Sequence, residues 1–306
     1  MRAFEKQWPP RGKINLDHVG HFVPNMDAAS TALTRLGFTV TPFSAHSHRL
    51  DPGAPLLPAG TGNRCVMLKT GYLEIVTPTG DTPMADQLRL AIGRYVGIHL
   101  IAFGTAAPEL DHARLAAAGY APLVPVALQR AIEVDSGTDT VRFTVVRVPP
   151  GVMPEGRIQF CRQDTPHLLW QERWLDHPNR AIALTGVLLC VDEPRTAAER
   201  YGRFCGIEPE KTSSGWLIQT SRGSLVLFDA ETCRRTFGIV PPAMPWIAGY
   251  ILATDDMNAA REHCVAAGVD PRNFVNDRLL VPMPAAVGGL LIFERPESGP
   301  LELTSA

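Results

Sequence analysis

The chain has 306 residues, 45% of them hydrophobic and 20% charged, with 29 Lys plus Arg against 31 Asp plus Glu. Apolar content this high supports a sizeable core and excludes a disordered chain. A net charge of −2 with no basic block denies nucleic acid the electrostatic footprint it needs.

The opening MRAFEKQWPPRGKINLDH is charged and broken by prolines, and no later window approaches the roughly 20 apolar residues of a membrane span. A cytoplasmic protein without a membrane partner is therefore expected. Six scattered cysteines with no CxxC pair suit neither a structural zinc site nor a disulfide framework, and are expected as reduced, buried thiols.

Along the chain, one pattern occurs four times: an apolar strand, a helix rich in Ala that stops at Gly, and further extended segments. The first copy is LDHVGHFVPNMDAASTALTRLGFTV, where Asn25 or Asp27 caps the helix, Ala29, Leu33 and Leu36 share a face, and Gly37 ends it. The second, GIHLIAFGTAAPELDHARLAAAGYAPL, has Pro108 in its first turn, Leu115 on the apolar side and Gly119 as the stop. The third and fourth end at Gly206 and Gly268. His18 to Gly37, His99 to Gly119, Gly186 to Gly206 and Gly249 to Gly268 are separated by 19, 20, 20 and 19 residues. Each copy closes on a Gly-led apolar run: GYLEIV, GRIQFC, GSLVLF and GGLLIF.

The expected fold class is α+β: four βαβββ modules, paired 1 with 2 and 3 with 4 into two curved mixed-sheet domains. Residues 1–161 form the first pair and 181–306 the second, with 162–180 as a linker whose Trp170 and Trp174 pack at the seam. The second pair is expected to serve packing or dimerisation, which makes a homodimer the assembly to look for.

Strand side chains alternate faces, so equivalent positions in a pseudo-symmetric pair point into one space. Matching unit 1 to unit 2 sets His18 against His99 and Glu74 against Gln159. Two imidazoles and a carboxylate around an open cup are a ligand set for a divalent metal: Fe, Mn, Zn, Co or Ni. Here His18, His99 and Glu74 are the expected metal ligands, with Glu74 also able to act as a base. Gln159 is a weak fourth ligand or substrate contact. The alternative is that both histidines are ordinary buried strand residues. Units 3 and 4 carry Gly186, Val226, Gly249 and Leu291 at the matching places, none of them able to bind a metal through its side chain.

His21, at an odd offset from His18, is expected to face away and be structural. His46 and His48 sit in SAHSHRL before a Pro/Gly-rich stretch, DPGAPLLPAG, that reads as a mobile loop able to close over the cup. His46 is the candidate proton carrier there, a solvated loop residue being the other reading. Asn63 in GTGNR and Tyr72, on the same side as Glu74, are candidate substrate contacts or else turn and core residues. Hydrolase motifs, phosphate loops and dinucleotide fingerprints are absent, so no nucleotide cofactor is expected.

LDHVGHFVPNMDAASTALTRLGFTV, GTGNR and GYLEIV resemble the glyoxalase-like domain proteins of the vicinal oxygen chelate superfamily, over roughly residues 14–80, with the module repeat extending the likeness more weakly. The superfamily includes glyoxalase I, extradiol dioxygenases and bleomycin-binding proteins. The resemblance implies paired βαβββ modules with metal ligands on the first and last strands, and a metal that holds two neighbouring substrate oxygens and stabilises an enolate or oxyanion. It implies a metal-dependent lyase, isomerase or ring-cleaving dioxygenase acting on a small oxygen-rich substrate. The rival is a non-catalytic binder of the bleomycin-resistance type. Gln159 stands where glyoxalase I has a carboxylate base, and an amide cannot take a proton, so that reaction is not expected.

Overall fold

The computed structural model describes residues 3–48, 55 and 57–303. The first unit is β1 (Ile14–Phe22), α1 (Met26–Arg35), β2 (Ser44–His48), β3 (Leu57–Met67) and β4 (Tyr72–Pro78), and α2 (Pro83–Arg94) leads out of it. The second is β5 (Gly97–Thr105), α3 (Pro108–Ala117), β6 (Val126–Val134), β7 (Gly137–Arg147) and β8 (Arg157–Gln163), followed by the short α4 (Pro166–Leu169). The third is β9 (Ala181–Cys190), α5 (Pro194–Cys205), β10 (Glu210–Thr212), β11 (Gly215–Gln219) and β12 (Ser224–Phe228), followed by α6 (Ala230–Phe237). The fourth is β13 (Trp246–Thr254), α7 (Met257–Ala266), β14 (Arg272–Phe274), β15 (Arg278–Pro282) and β16 (Leu290–Glu294).

The helix signals act as their chemistry dictates. Asn25 caps α1, its side chain accepting from the Ala28 amide, while Asp27 lies in the first turn. Gly37, Gly119, Gly206 and Gly268 all take positive φ, between 67° and 83°, where the chain leaves each helix. The pattern did not anticipate α2 and α6. Thr82 and Asp229 cap them through hydrogen bonds to the Ala85 and Thr232 amides.

Within the first half the strand order is β2-β3-β4-β1-β5-β8-β7-β6, with β1 parallel to β4, β5 parallel to β8, and β1 antiparallel to β5. The second half repeats this order, β10-β11-β12-β9-β13-β16-β15-β14. The pairing of Ile98 with Ile247 joins the halves into one 16-stranded mixed sheet, and a bridge between Thr70 and Ala183 links them again. The first half curls until its outer strands meet, the Ser44 hydroxyl donating to the Ala131 carbonyl at 2.9 Å.

The two sheets stand back to back. Leu16, Ile101 and Phe160 of the first half share one core with Tyr201, Phe204 and Leu252 of the second. Phe204 stacks on Phe160 at 4.9 Å, and the Tyr120 hydroxyl donates to the Arg200 carbonyl. The concave face of the second half is filled: Leu188, Val226, Ile251 and Ile292 pack there under Leu301 and Leu303 of the C-terminal tail. The face that forms a cup in one half is thus a solid core in the other.

Register corrects the repeat alignment by one residue. Between β1 and β5, Leu16 pairs with Phe103 and His18 with Ala102, so Asp17 is an extra, bulged residue. Gly20 pairs with Leu100 and His21 with Ile98, so His99 is the extra residue on β5. The neighbouring parallel strands agree, setting His18 beside Tyr72, Leu100 beside Arg157, Gly186 beside Ser224 and Gly249 beside Leu290. The counterpart of His18 is therefore Leu100, and His99 corresponds to Asp17. Glu74 and Gln159 do match, with Val226 and Ile292 as their counterparts rather than Val226 and Leu291.

Three smaller expectations also change. His46 and His48 lie in β2 rather than in a loop, and Leu57–Gly60 of the expected lid belong to β3. Residues 51–54 and 56 of that lid lie outside the described residues. Trp170 packs edge-on against Tyr72 at 5.7 Å, in a cluster with Cys65, Met67 and Val141 of the first half and not at a seam between halves. All six cysteines are free and buried, and among the described residues no helix is long and apolar enough to cross a membrane.

Candidate active site

The concave face of the first half bounds a cavity of about 860 Å³. Four strands set its polar centre: β1 supplies His18, β4 supplies Tyr72 and Glu74, β2 supplies His46, and β3 supplies Asn63. Alternation puts Tyr72 and Glu74 on the same face, and the Asp17 bulge brings the side chain preceding His18 close beside it.

Glu74 is the one carboxylate among the cavity's described lining residues. Asn63 donates through Nδ2 to its Oε1 at 2.5 Å, and the His46 Nε2 lies 3.9 Å from the same oxygen. Burial alone would raise this carboxyl, but the nearby His18, His46, Asn63 and Arg130 outweigh it and hold Glu74 below the ordinary carboxylate range. Glu74 is accordingly an anion at neutral pH. His46 is pushed the other way: burial lowers it, against the raising pull of Glu74, and keeps it neutral.

His18 and His46 are each fixed by their far nitrogen. The His18 Nδ1 donates to Asp17 Oδ1 at 2.6 Å, and Asp17 also accepts from Gln163 Nε2 at 2.9 Å. This leaves the His18 Nε2 for the cup, with the ring stacked on Tyr72 at 4.3 Å. The His46 Nδ1 bonds the Thr61 hydroxyl at 3.0 Å. Outer partners that fix the tautomer and ring plane are what metal-binding imidazoles need.

His99 is placed differently. It lines the cavity, but its Nε2 bonds the Tyr95 carbonyl at 2.8 Å and its ring stacks between Tyr95 and Phe22. Burial lowers its pKa to about 4, a neutral imidazole. The bulge accounts for this, because Leu100 occupies the place that mirrors His18. His21 faces the other side, with its Nδ1 bonded to the Val287 carbonyl, as its odd offset foretold. Gln159 lines the cup, and its buried Oε1 has no hydrogen-bond partner among the described residues.

The expected trio of His18, His99 and Glu74 is thus divided: His18 and Glu74 come together, His46 joins them, and His99 turns to the backbone. The donor types and their outer partners fit a divalent ion. Their present spacing does not form a closed ligand set, since among the described residues no three His, Cys, Asp or Glu side chains stand together as a metal-holding group.

Sequence reasoning passed over the cup's arginines. Arg94, Arg130, Arg147 and Arg157 all line it. Arg157 precedes Gln159 by two residues just as Tyr72 precedes Glu74, so strand alternation already carried the signal. The apolar wall includes Leu88 of α2, on the helix that the repeat did not predict.

Residues 16–205 match the family model described as a glyoxalase-like domain. No curated protein matches the chain. Among solved structures, a hypothetical protein from Staphylococcus aureus aligns with a TM-score of 0.63 at 10% identity, over 92% of this chain and 99% of that one. A mutant of 4-hydroxymandelate synthase from Streptomyces coelicolor aligns with 0.57 at 14%, over 95% of each. The Mn(II)-bound glyoxalase from Novosphingobium aromaticivorans aligns with 0.51 at 11%, over 92% of this chain and 82% of that one. At these identities the likeness is one of fold, the paired-module architecture of the vicinal oxygen chelate proteins.

Proposed function

The chain belongs to the glyoxalase-like domain family, and on that footing we propose that its N-terminal cup is the active centre of a vicinal oxygen chelate enzyme acting on a small oxygen-rich substrate. The observation that carries this reading is Glu74, an anion inside the cup held by Asn63 and flanked by His18 and His46.

The division of labour follows from the proton affinities. A carboxyl held below its ordinary range is a poor base but a good fixed charge or ligand. His46, neutral and 3.9 Å from that charge, takes the substrate proton at Nε2, and Glu74 stabilises the resulting imidazolium. Asn63 keeps Glu74 aimed. His18 presents Nε2 to a substrate oxygen or an ion, with Asp17 holding its ring. The amide of Gln159 positions the far oxygen. Proton transfer of this kind suits a lyase or isomerase.

A divalent ion, when bound, would supply Lewis-acid stabilisation of charge on adjacent oxygens. His18 and Glu74 are the donors the chain offers it, completed by His46 or, through its free Nδ1, by His99.

Elemental analysis of the purified protein tests this directly. About one ion per chain is expected, lost in His18→Ala and Glu74→Ala, while His46→Ala and His99→Ala tell which imidazole completes the set. Should the wild type hold no ion under any divalent supplement and His46→Ala change no turnover, the cup is a binding module instead.

A further inference from the structure

Elsewhere in this molecule several partly or fully buried guanidinium groups find carboxylates: Arg200 with Glu155, Arg278 with Glu294 at 2.8 Å, Arg114 with Asp111 at 2.8 Å, while Arg64 and Arg222 donate to backbone carbonyls. Among the described residues, three arginines of the cup have neither kind of partner. Arg130, Arg147 and Arg157 make no ion pair among the described residues. Arg157 reaches only Gln87 Oε1 at 3.4 Å, and Arg130 only the Cys65 sulfur at 4.0 Å. The Arg147 Nε is buried without any hydrogen-bond partner among the described residues.

Two of these arginines are neighbours by construction. Arg147 pairs across β7 and β8 with Gln159, and Arg157 lies two residues before Gln159 on the same face. Gln159 therefore sits within a patch of two guanidinium groups. Burial and the charge of Arg157 together lower Arg147 to about 10, which leaves both cationic at neutral pH. Like charges held side by side and partly out of water, with one carboxylate on the described lining, are unfavourable unless a ligand brings the counter-charge. The walls around them are apolar, with Arg157 over the Phe22 ring at 5.8 Å and Arg130 over the Phe143 ring at 5.9 Å.

We infer that the cup recognises an organic anion, whose carboxylate or phosphate group docks on Arg147 and Arg157 beside Gln159 while its apolar body lies along Phe22 and Phe143. This deepens the reading of the cup as an active centre by naming its substrate class: an acid whose reacting oxygens are carried to His18 and Glu74 from the guanidinium side. Arginine suits this task because its planar fork binds an oxyanion through two donors at once.

Calorimetric titration of the full chain with phenylacetate, phenyl phosphate and neutral phenylacetamide provides the test. Either acid should bind at least about tenfold more tightly than the amide, as expected for losing a charge-assisted hydrogen bond. The tighter of the two acids distinguishes a carboxylate from a phosphate ester. The preference should collapse in Arg147→Gln and in Arg157→Gln, and persist or grow in Glu74→Gln. Equal affinity for acid and amide, no saturation by either acid, or a preference untouched in both arginine variants would overturn the inference. The wild-type comparison holds even if a variant misfolds. Because anion affinity is read without metal or turnover, it stands or falls apart from the proton chemistry at His46.

Discussion

Burying an imidazole away from water makes protonation the expensive step, and His21 shows the effect plainly. It is fully enclosed against Tyr250, and desolvation lowers its pKa to about 4 despite the opposing bond to the Val287 carbonyl. The unfolded chain takes up this proton near pH 6.5 and the folded chain only near 4, so between those values protons favour unfolding. Stability is complete above pH 6.5 and falls as the pH drops towards 4, by about 3 kcal/mol for a shift of this size. Urea midpoints measured across that range should show the decline, and His21→Leu should lessen it, with His99, also lowered to about 4, supplying part of what remains. A slope unchanged in the variant would refute the assignment. At the same scale, the sequence made His18, Glu74, Asn63 and Tyr72 legible, because alternation along a strand is a local property. His99 was misplaced because a bulge is set by pairing with a distant strand, although the 19-residue interval from Leu100 to Gly119, matching His18 to Gly37, already marked the shift. Arg157 was readable by alternation. Its lack of an ion-pair partner among the described residues was not, since that depends on every side chain around it.

Among the elements, the first strands of the four modules carry the same bulges but serve opposite ends. Asp17 and His99 are the extra residues of the first half, Thr185 and Ala248 their counterparts in the second, where β9 has a further one at Ile182. In the first half the position after the bulge carries a side chain that looks into open space, His18 or Leu100. In the second it carries glycine, and a Cβ on Gly249 would stand 2.2 Å from the Leu290 carbonyl oxygen. Backbone cannot swing aside as a side-chain tip can, so Gly249→Ala must push β13 and β16 apart. A loss of about 2 kcal/mol or more is expected, in the range of an overpacked core. Gly119→Ala has nothing within 4 Å of the new methyl and strains only a φ of +82°, so it should cost about 1 kcal/mol. Chemical denaturation of the two variants decides the order, and a costlier Gly119→Ala would contradict the close approach of β13 and β16. Helix ends were legible here because caps and stop glycines act within one turn. The linking helices α2 and α6 escaped because the repeat directed attention away from what lies between modules.

For the whole molecule, the shared back-to-back core makes each half a structural requirement of the other. The second half, its matching face filled by Leu188, Val226, Ile251 and Ile292, backs the cup through that core. Phe204 of α5 is fully buried between Phe103 and Phe160 of the first half, with Tyr120 edge-on at 5.6 Å. Removing that ring leaves a void where relaxation would have to move two sheets, so Phe204→Ala should cost about 3 to 5 kcal/mol. The distribution of the loss is more telling than its size. If the two sheets share one cooperative unit, hydrogen exchange at β5 amides in the first half and at β13 amides in the second should accelerate by the same factor, and thermal unfolding should remain a single transition. Acceleration confined to the second half, or a second transition in the melt, would mean that the cup is held by its own eight strands alone and that the filled half is a passenger.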